Sequence, residues 1–206
     1  MKKTFYAAVV IIAAAACCFS SARTEGEKTP GAPAAEVVAK LIDDFSAPDG
    51  ASALGTKWKF ISDRVHIGKS TGGISVEKSG GMRRLCLRGR VKFVMGNGFI
   101  QANLPLKQGD GFFDASQYTG IRLTASGNGE KYYLLAKTAA TRMHWQLYRA
   151  PFTAPEKPSV VEIPFGDFEK YKVKRELDPA ALAGIAIVAS DREYRANVCV
   201  SRIEFY

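Results

Sequence analysis

One short stretch of the sequence places a nucleophile, an acid and a base close together: Ser62, Asp63 and His66. A hydrolytic triad needs a hydroxyl nucleophile, an imidazole base and a carboxylate that orients the base. These groups normally come from distant segments, because neighbours along a strand or turn rarely converge on one point. We therefore interpret this stretch as a solvated turn and expect no catalysis there.

Asp43 and Asp44 are a second candidate, since two carboxylates can divide general acid and base work. Adjacent residues of a strand point to opposite faces, so we expect one carboxylate to cap a turn and the other to lie in solvent. The two histidines, His66 and His144, are in different segments, and no His, Cys and Asp cluster has metal-ligand spacing. We expect no metal, no cofactor and no enzymatic activity.

Cys86 and Cys199 would remain after removal of an N-terminal leader. In an exported protein two such cysteines can pair, and both fall opposite the core-facing positions of their predicted strands. The sequence does not show that these strands are neighbours. A disulfide and two separate thiols therefore both stay open, and we prefer the separate thiols.

A binding surface is the remaining kind of site, and strand alternation indicates where it would lie. In a β-sandwich, residues opposite the core positions line any concave face. Sugar sites combine flat rings, which stack on pyranose CH groups, with planar donors and acceptors that reach hydroxyls. On this basis the candidate ligand-binding residues are Arg122, Tyr133, Lys137, His144, Gln146 and Tyr148.

The same set has a plainer interpretation as the ordinary exposed face of a sheet, where tyrosine and threonine are favoured anyway. Trp58 and Trp145 are expected in the core rather than on a binding platform, because large aromatic side chains are mostly buried. A carbohydrate surface and an ordinary solvated face therefore both remain open.

The elements that position these residues are short strands. From Leu41 onward, apolar alternations are separated by Gly, Asn and Asp at about the 8–12-residue spacing of a β-sandwich. The sequence Ser126–Gly129 contains Gly-Asn-Gly and predicts a tight turn between two paired strands. The pattern as a whole predicts an all-β fold.

Residues 148–168 show how the core is expected to form. Two apolar runs flank a polar, proline-containing segment, which predicts a pair of strands joined by a stiff loop. Proline lacks the amide that a strand ladder needs, so Pro151 and Pro164 should lie where a strand bends or ends. The phenylalanines expected in the core are Phe152, Phe165 and Phe168.

Length and composition set the class of protein. A chain of 206 residues with 47% hydrophobic residues is long enough for one sizeable core and is not generally disordered. The formal net charge of +9 suits acidic polymers, anionic lipid head groups or simple solubility. We identify no compact run of Lys and Arg with interleaved aromatics, so nucleic acid is not expected as a partner.

The N-terminus has the pattern of a secretory signal: a short basic start, an apolar run and then small residues. It is shorter than the roughly 20 apolar residues that span a bilayer. Two cleavage sites compete, a lipoprotein-type cut before Cys17, with lipidation of that cysteine, and an ordinary cut after Ala22. We predict a signal peptide at 1–22 (or a lipoprotein leader ending at 16), a flexible linker at 23–38 and one domain at 39–206.

Several motifs resemble those of one family. Tyr148-x-Ala150-Pro151-Phe152, then Ile163-Pro164-Phe165-x-Asp167-Phe168, and the block Asp114–Leu123 are similar to the thirty-kilodalton complex I intermediate-associated protein family. The entry sequence Leu41–Phe45 and the following Trp58 also fit. The resemblance covers about residues 41–206, but His66–Ser70 departs from the family's usual Met-Gly-Gly-x-Ser.

The resemblance implies a galactose-binding-like jelly-roll β-sandwich and two alternative functions. One is a non-catalytic carbohydrate-binding type of module on the bacterial cell envelope. The other is a protein-interaction or assembly factor, as the family's link to respiratory complex I suggests. The expected partner is a carbohydrate or an envelope protein. Export would place the protein in the periplasm or on the membrane, contacting lipid only through a possible anchor at Cys17.

Overall fold

The computed structural model describes residues 38–94, 96–106, 109 and 111–206, which form two antiparallel sheets. The predicted signal peptide, the predicted lipidation site Cys17 and residues 23–37 of the predicted linker lie outside this range. No helix within the described part is long and apolar enough to cross a bilayer. The strands are β1 (Lys40–Asp43), β2 (Lys59–Ser62), β3 (Thr71–Ser79), β4 (Met82–Val91), β5 (Phe99–Pro105), β6 (Gly120–Gly127), β7 (Lys131–Thr138), β8 (Leu147–Thr153), β9 (Ser159–Pro164), β10 (Glu169–Tyr171), β11 (Leu182–Ser190) and β12 (Tyr194–Phe205), with 3-10 turns at Asp63–Val65, Phe165–Asp167 and Pro179–Ala181.

The first sheet has the order β3-β4-β12-β6-β9, with β1 also pairing with β12, and the second has the order β10-β8-β7-β11-β5-β2. Between them lies the core, because alternate residues of each strand are apolar and point inward. Strand β6 supplies Ile121, Leu123 and Ala125, all fully buried. The predicted all-β jelly-roll sandwich is confirmed.

Strands β8 and β9 are both present, but the prediction that they pair with each other is wrong. Strand β8 lies in the second sheet beside β7, whereas β9 lies in the first sheet beside β6. The proline-containing segment between them crosses from one layer to the other. Phe152 and Phe168 are buried in the core, and Phe165 packs against it, as predicted.

Pro151 and Pro164 both lie where a missing backbone amide can be tolerated. Strand β10 pairs only with residues 147–149 of β8, so among the described residues no strand pairs with Pro151 on that side. A missing amide is tolerated at such an edge. Pro164 ends β9 immediately before a 3-10 turn, as expected for a residue that stops a strand.

The turn predicted at Ser126–Gly129 is also a crossing between layers, because β6 belongs to the first sheet and β7 to the second. Asn128 donates from Nδ2 to the carbonyl of Arg195 and accepts from the hydroxyl of Tyr132. A Gly-Asn-Gly sequence favours a tight reversal but does not specify whether the two strands share a sheet.

Both adjacent aspartates are engaged in local hydrogen bonds. Asp43 is buried, accepting from the backbone amide of Phe45 at 2.7 Å and from the indole of Trp58 at 2.8 Å. Burial raises the pKa of Asp43, against the opposing effect of these two hydrogen bonds. Asp44 accepts from Ser46, which lowers the pKa of Asp44. The carboxylates serve turn capping, and Trp58 packs against the core as predicted.

Cys86 and Cys199 are directly opposite each other on β4 and β12 and form a disulfide, with Cα atoms 4.0 Å apart. Our preference for two separate thiols is therefore wrong. Both cysteines point away from the core, as the alternation predicted, because their neighbours Leu85, Leu87 and Val198 fill the core instead. The pairing depends on which strands are neighbours, and that is a property of the tertiary fold.

Candidate functional site

The outer face of the second sheet is not the open, wet surface that strand alternation predicted. Its centre holds a second, smaller apolar cluster, which we call the outer cluster. Its side chains point away from the core on β7 and β11 but are nearly inaccessible to solvent. The outer cluster consists of Tyr133, Leu135, Ala186 and Val188, with Phe99 and Leu147 packed at its margin.

Tyr133 lies on the predicted outer face but is only 5% exposed. Lys131 Nζ is 5.1 Å from its ring centroid and Arg149 Cζ is 5.0 Å away. Arg149 also lies 5.3 Å from the Tyr171 ring and donates to Asp191 across 3.2 Å. The side chains of Lys131 and Arg149 therefore lie against the ring of Tyr133, and this ring is not accessible for stacking on a ligand.

Two loops fold over this outer face. Lys137, on the outer side of β7, donates to the carbonyl of His144 at 3.1 Å, which places the β7–β8 loop above the sheet. The rings of His66 and His144 meet with centroids 4.8 Å apart. His144 belongs to the loop after β7 and His66 to the loop after β2, and strands β11 and β5 lie between β7 and β2. The contact between the two rings therefore spans the outer face of β11 and β5. Burial lowers the pKa of Lys137.

Beside the folded loop lies a groove of about 560 Å³ at the end of the second sheet. One wall is the β7–β8 loop, which Gln146 orders by accepting from the amides of Arg142 and Met143 at 2.9 and 3.1 Å. The other wall is the segment between β10 and β11. We call this the basic groove; it is lined by Thr138, Ala139, Ala140, Arg142, Gln146, Lys172–Glu176, Asp178 and Ala181.

Positive charge dominates the basic groove, since Arg142, Lys172, Lys174 and Arg175 line it. Its two acids are engaged nearby. Glu176 pairs with Lys170, and the carboxylate of Asp178 accepts from the backbone amide of Ala180 at 3.0 Å. Within the described residues no ion pair involves Arg142, Lys174 or Arg175. Their charges are therefore directed to solvent.

Tyr148 is placed on the wrong face by the sequence analysis. It is 0% exposed in the main core, and its hydroxyl lies 3.1 Å from the carbonyl oxygens of both Arg175 and Glu176. The β7–β8 loop extends to Gln146, so β8 begins at Leu147. Leu147 faces outward, and the next residue, Tyr148, therefore faces the core. One signal was available: Phe152 is four residues from Tyr148 on the same strand, and residues four apart share a face.

Arg122 is separated from the other candidates because β6 belongs to the first sheet. It points outward as predicted, but it lies in a ladder between two acids, at 2.8 Å from Glu162 and 3.1 Å from Glu204. Its guanidinium also lies 4.9 Å from the ring of Tyr206. Arg122 is thus on the opposite side of the sandwich from Tyr133, Lys137, His144 and Gln146.

Trp145 was predicted in the core but is 44% exposed on the β7–β8 loop, edge-on to His144. It lies two residues before Leu147, the cross-strand partner of Tyr171, whose ring is 39% exposed. Trp145 and Tyr171 directly precede Gln146 and Lys172, which line the basic groove, so two accessible aromatic residues are carried by the segments that form its walls. Lys172 connects Tyr171 to the groove, since its Nζ lies 5.5 Å from the Tyr171 ring.

Sequence reasoning missed Tyr171, Lys172, Lys174 and Arg175, although the signal is visible. Residues 170–175 read Lys-Tyr-Lys-Val-Lys-Arg, a compact basic run with an interleaved aromatic ring, so our interpretation that the chain contains no such run is wrong. Period-two alternation identifies only residues on the faces of sheets. This run instead begins in the short edge strand β10 and continues into a loop. Arg142 carried no comparable signal, because it reaches the groove through the folding of its loop.

The candidate triad has no catalytic geometry. Asp63 is fully buried, so the expected solvated turn is wrong at this residue. Its carboxylate accepts from the hydroxyl and amide of Ser70, at 2.6 and 3.0 Å, and from the amide of Phe99 at 3.2 Å. Asp63 thus fixes the loop after β2 and does not orient His66. Among the described residues no His, Cys, Asp and Glu group is arranged to hold a metal.

Comparison with known proteins identifies a matching family and solved structures with a similar fold. Residues 44–196 match the model of the complex I intermediate-associated protein 30 (CIA30) family. No match is found among curated protein sequences.

Similar solved structures include the family 11 carbohydrate-binding module of the cellulosomal cellulase Lic26A-Cel5E of Clostridium thermocellum, with TM-score 0.62, 15% identity, and coverage of 82% of this chain and 94% of that one. The Clostridium thermocellum module in complex with a β-1,3-1,4-mixed-linked tetrasaccharide gives TM-score 0.60, 15% identity, and 82% and 96% coverage. The agarase AgWH50C gives TM-score 0.50 at 10% identity, over 80% of this chain and 24% of that one. At these identities the likeness concerns the fold.

Proposed function

The chain belongs to the complex I intermediate-associated protein 30 family, and from that premise we propose that it is a non-catalytic binding domain that holds a carbohydrate at the end of its second sheet. The observation that carries the proposal is the pair of accessible rings, Tyr171 and Trp145, beside the basic groove. Rings of this kind stack on sugar CH faces, and planar cations next to them donate to hydroxyl and ring oxygens.

The fold supports the same conclusion. The Clostridium thermocellum module, which is similar in structure, is a carbohydrate-binding module and was obtained with a bound tetrasaccharide. Function depends on the residues of a site and not on the fold. The structural similarity is therefore consistent with a sugar site at the residues described above but does not assign a particular sugar. The proposal therefore depends on Tyr171, Trp145 and the groove that they flank.

A glycan array tests the proposal. The full chain should bind a defined subset of glycans, and the double variant Trp145→Ala/Tyr171→Ala should lose that binding. Phe93→Ala is the matched control, because Phe93 is similarly exposed, at 42%, and does not line the groove. Absence of binding from folded wild-type protein, or equal loss in the Phe93 variant, would refute the proposal.

A protein-interaction or assembly role is the second candidate, and one observation favours it. The two loops that meet through His66 and His144 expose apolar side chains, including Ile67 at 84%. Exposed apolar groups clustered on loops are typical of protein contact surfaces. The exposed apolar side chains on these loops are Val65, Ile67, Met143 and Trp145.

Site-specific cross-linking separates the two roles. A photoreactive residue at position 67 should give one discrete protein adduct in intact cells if this surface binds a partner, and the adduct should disappear when Met143 is changed to Ser. A photoreactive residue at position 160, exposed on the first sheet, is the control. If position 67 yields no adduct beyond that control, the interaction role is rejected.

We include an envelope location in the proposal, either periplasmic or anchored through a lipidated Cys17. The basic start and the apolar run of the N-terminal sequence support export. Cell fractionation of the full chain and of Cys17→Ala distinguishes the two forms. A lipoprotein moves from the membrane to the soluble periplasmic fraction in the variant, and recovery of both proteins in the cytoplasm would refute export.

A further inference from the structure

We propose that the glycan held by this domain is acidic, and that the basic groove receives its carboxylate or sulfate groups. The inference rests on the proposed carbohydrate function and adds the chemical class of the ligand. It starts from an imbalance of charge in the groove. Four cationic side chains line it against two acids, of which Glu176 pairs with Lys170, while Asp178 accepts from the amide of Ala180 and keeps its charge.

Several outward-facing cations of the first sheet have acidic partners. On the first sheet Arg122 lies between Glu162 and Glu204, and Arg88 pairs with Glu77. Such pairs neutralise the surface locally and leave little attraction for an anion. Arg142, Lys174 and Arg175 differ, because within the described part of the chain none of them has an ion-pair partner. Three cations without an ion-pair partner therefore lie together in the basic groove, alongside Lys172.

The walls of the groove are ordered before any ligand arrives. Gln146 holds the backbone at Arg142 and Met143, and the hydroxyl of Tyr148 reaches the carbonyls of Arg175 and Glu176 from the core. Lys172 adopts a left-handed backbone, with φ of 55°, and its Nζ lies over the Tyr171 ring. A backbone that is already ordered loses less freedom on binding than a mobile one, so the walls are suited to present their cations to a ligand.

The juxtaposition of rings and cations fits a sugar acid better than a neutral sugar. A pyranose ring can stack on Tyr171 or Trp145 while its exocyclic carboxylate or sulfate reaches Lys172 or the cations deeper in the groove. Guanidinium groups bind carboxylate and sulfate oxygens through paired, charge-assisted hydrogen bonds. Neutral hydroxyls would leave these positive charges uncompensated.

The test measures affinity of the full chain for three soluble polysaccharides: polygalacturonate for carboxylates, dextran sulfate for sulfates and mixed-linked β-glucan as the neutral reference. Lys174→Ala/Arg175→Ala should weaken binding of the acidic ligand about tenfold or more, since it removes two charge-assisted contacts. Lys78→Ala/Arg195→Ala is the matched control. It removes the same two charges from strands of the first sheet and should leave affinity unchanged.

Each outcome is decisive. Preference for polygalacturonate or for dextran sulfate, with loss confined to the groove variant, supports the inference and identifies the acidic group. Equal loss in the control variant would show general charge attraction and overturn it. Binding of β-glucan alone, unaffected by the groove variant, would overturn the acidic class but keep the carbohydrate function. Failure to bind any of the three polysaccharides or any glycan on the array would remove both. A single-stranded oligodeoxynucleotide is titrated alongside, and its tighter, groove-dependent binding would replace the glycan by nucleic acid.

Discussion

The hydroxyl of Tyr148, buried in the sandwich core, lies 3.1 Å from the carbonyl oxygen of Arg175, on the wall of the basic groove. The core of the fold thus fixes the backbone that presents the groove's cations. This contact would couple stability to the proposed binding at one residue, and it corrects the prediction that Tyr148 lies on the exposed face of the sheet.

Tyr148→Phe should lower the free energy of unfolding by about 0.5–1.5 kcal/mol, because one hydrogen bond is lost and two carbonyl oxygens lose a donor. It should also weaken binding of the acidic glycan by loosening the wall at Arg175. Urea unfolding and the affinity titration measure the two effects. Tyr132→Phe is the control, since its buried hydroxyl bonds to Asn128 and Asn197 away from the groove. Equal glycan affinity in both variants would contradict the coupling.

Arg122→Ala should leave glycan binding unchanged. Arg122 lies on the first sheet in a ladder with Glu162 and Glu204, on the opposite side of the sandwich from the groove. The same affinity titration provides the measurement, with Lys174→Ala/Arg175→Ala as the positive comparison. A loss in the Arg122 variant as large as in that comparison would show that the site is on the other sheet.

Ile163→Ala should destabilise the protein by about 2–5 kcal/mol, as large-to-small changes in a packed core do. Ile163 is only 3% exposed and belongs to the main core, whereas Val160 on the same strand is 60% exposed. Val160→Ala should therefore change stability by no more than about 0.5 kcal/mol. Denaturant unfolding checks both values, and similar midpoints for the two variants would show that β9 is turned the other way.

Phe165→Ala should be less costly than full burial would imply. Phe165 is partly exposed, with its ring centroid 6.5 Å from that of Phe168 and 6.4 Å from that of Phe205. We expect a loss below the range of about 3–5 kcal/mol usual for buried phenylalanine. The same unfolding experiment measures it, and a loss above that range would mean that the ring is more enclosed than described.

Removing the disulfide with Cys86→Ala/Cys199→Ala should lower the free energy of unfolding by about 2–5 kcal/mol. The link joins residues 113 apart in sequence, so its loss frees a long loop in the unfolded chain. Unfolding with and without dithiothreitol provides the measurement, and only the wild-type protein should respond to the reductant. A wild-type protein insensitive to dithiothreitol would contradict a disulfide that contributes to stability.

Glu77 should titrate well below its ordinary range, because the hydrogen bonds from Arg88, and then from Ser75, lower the pKa of Glu77 to about 2. A folded pKa below the unfolded one means that the pair stabilises the fold above about pH 4.5 and that this contribution is lost as pH falls toward 2. NMR titration of the Glu77 carboxyl carbon measures the pKa directly. In Arg88→Gln the pKa should return toward its usual value; an unchanged value would exclude the pairing.

The sequence alone determined the all-β class, the family and the inward residues of strands such as β6 and β7. These follow from period-two alternation, which is a local property: once one residue of a strand is buried, its second neighbours are buried with it. Tyr133 and Lys137 were placed on the correct side for this reason. Tyr148 was not, because the first residue of β8 depends on how the preceding loop folds.

Only the tertiary structure decided which strands are neighbours. Strands β6 and β7 are joined by only three residues yet lie in different sheets, whereas Cys86 and Cys199, far apart in sequence, are cross-strand partners. The basic groove likewise combines Arg142 with Lys174 and Arg175. Pairing of strands and apposition of loops are long-range choices that minimise exposed apolar surface over the whole domain, and no local pattern of residue types encodes them.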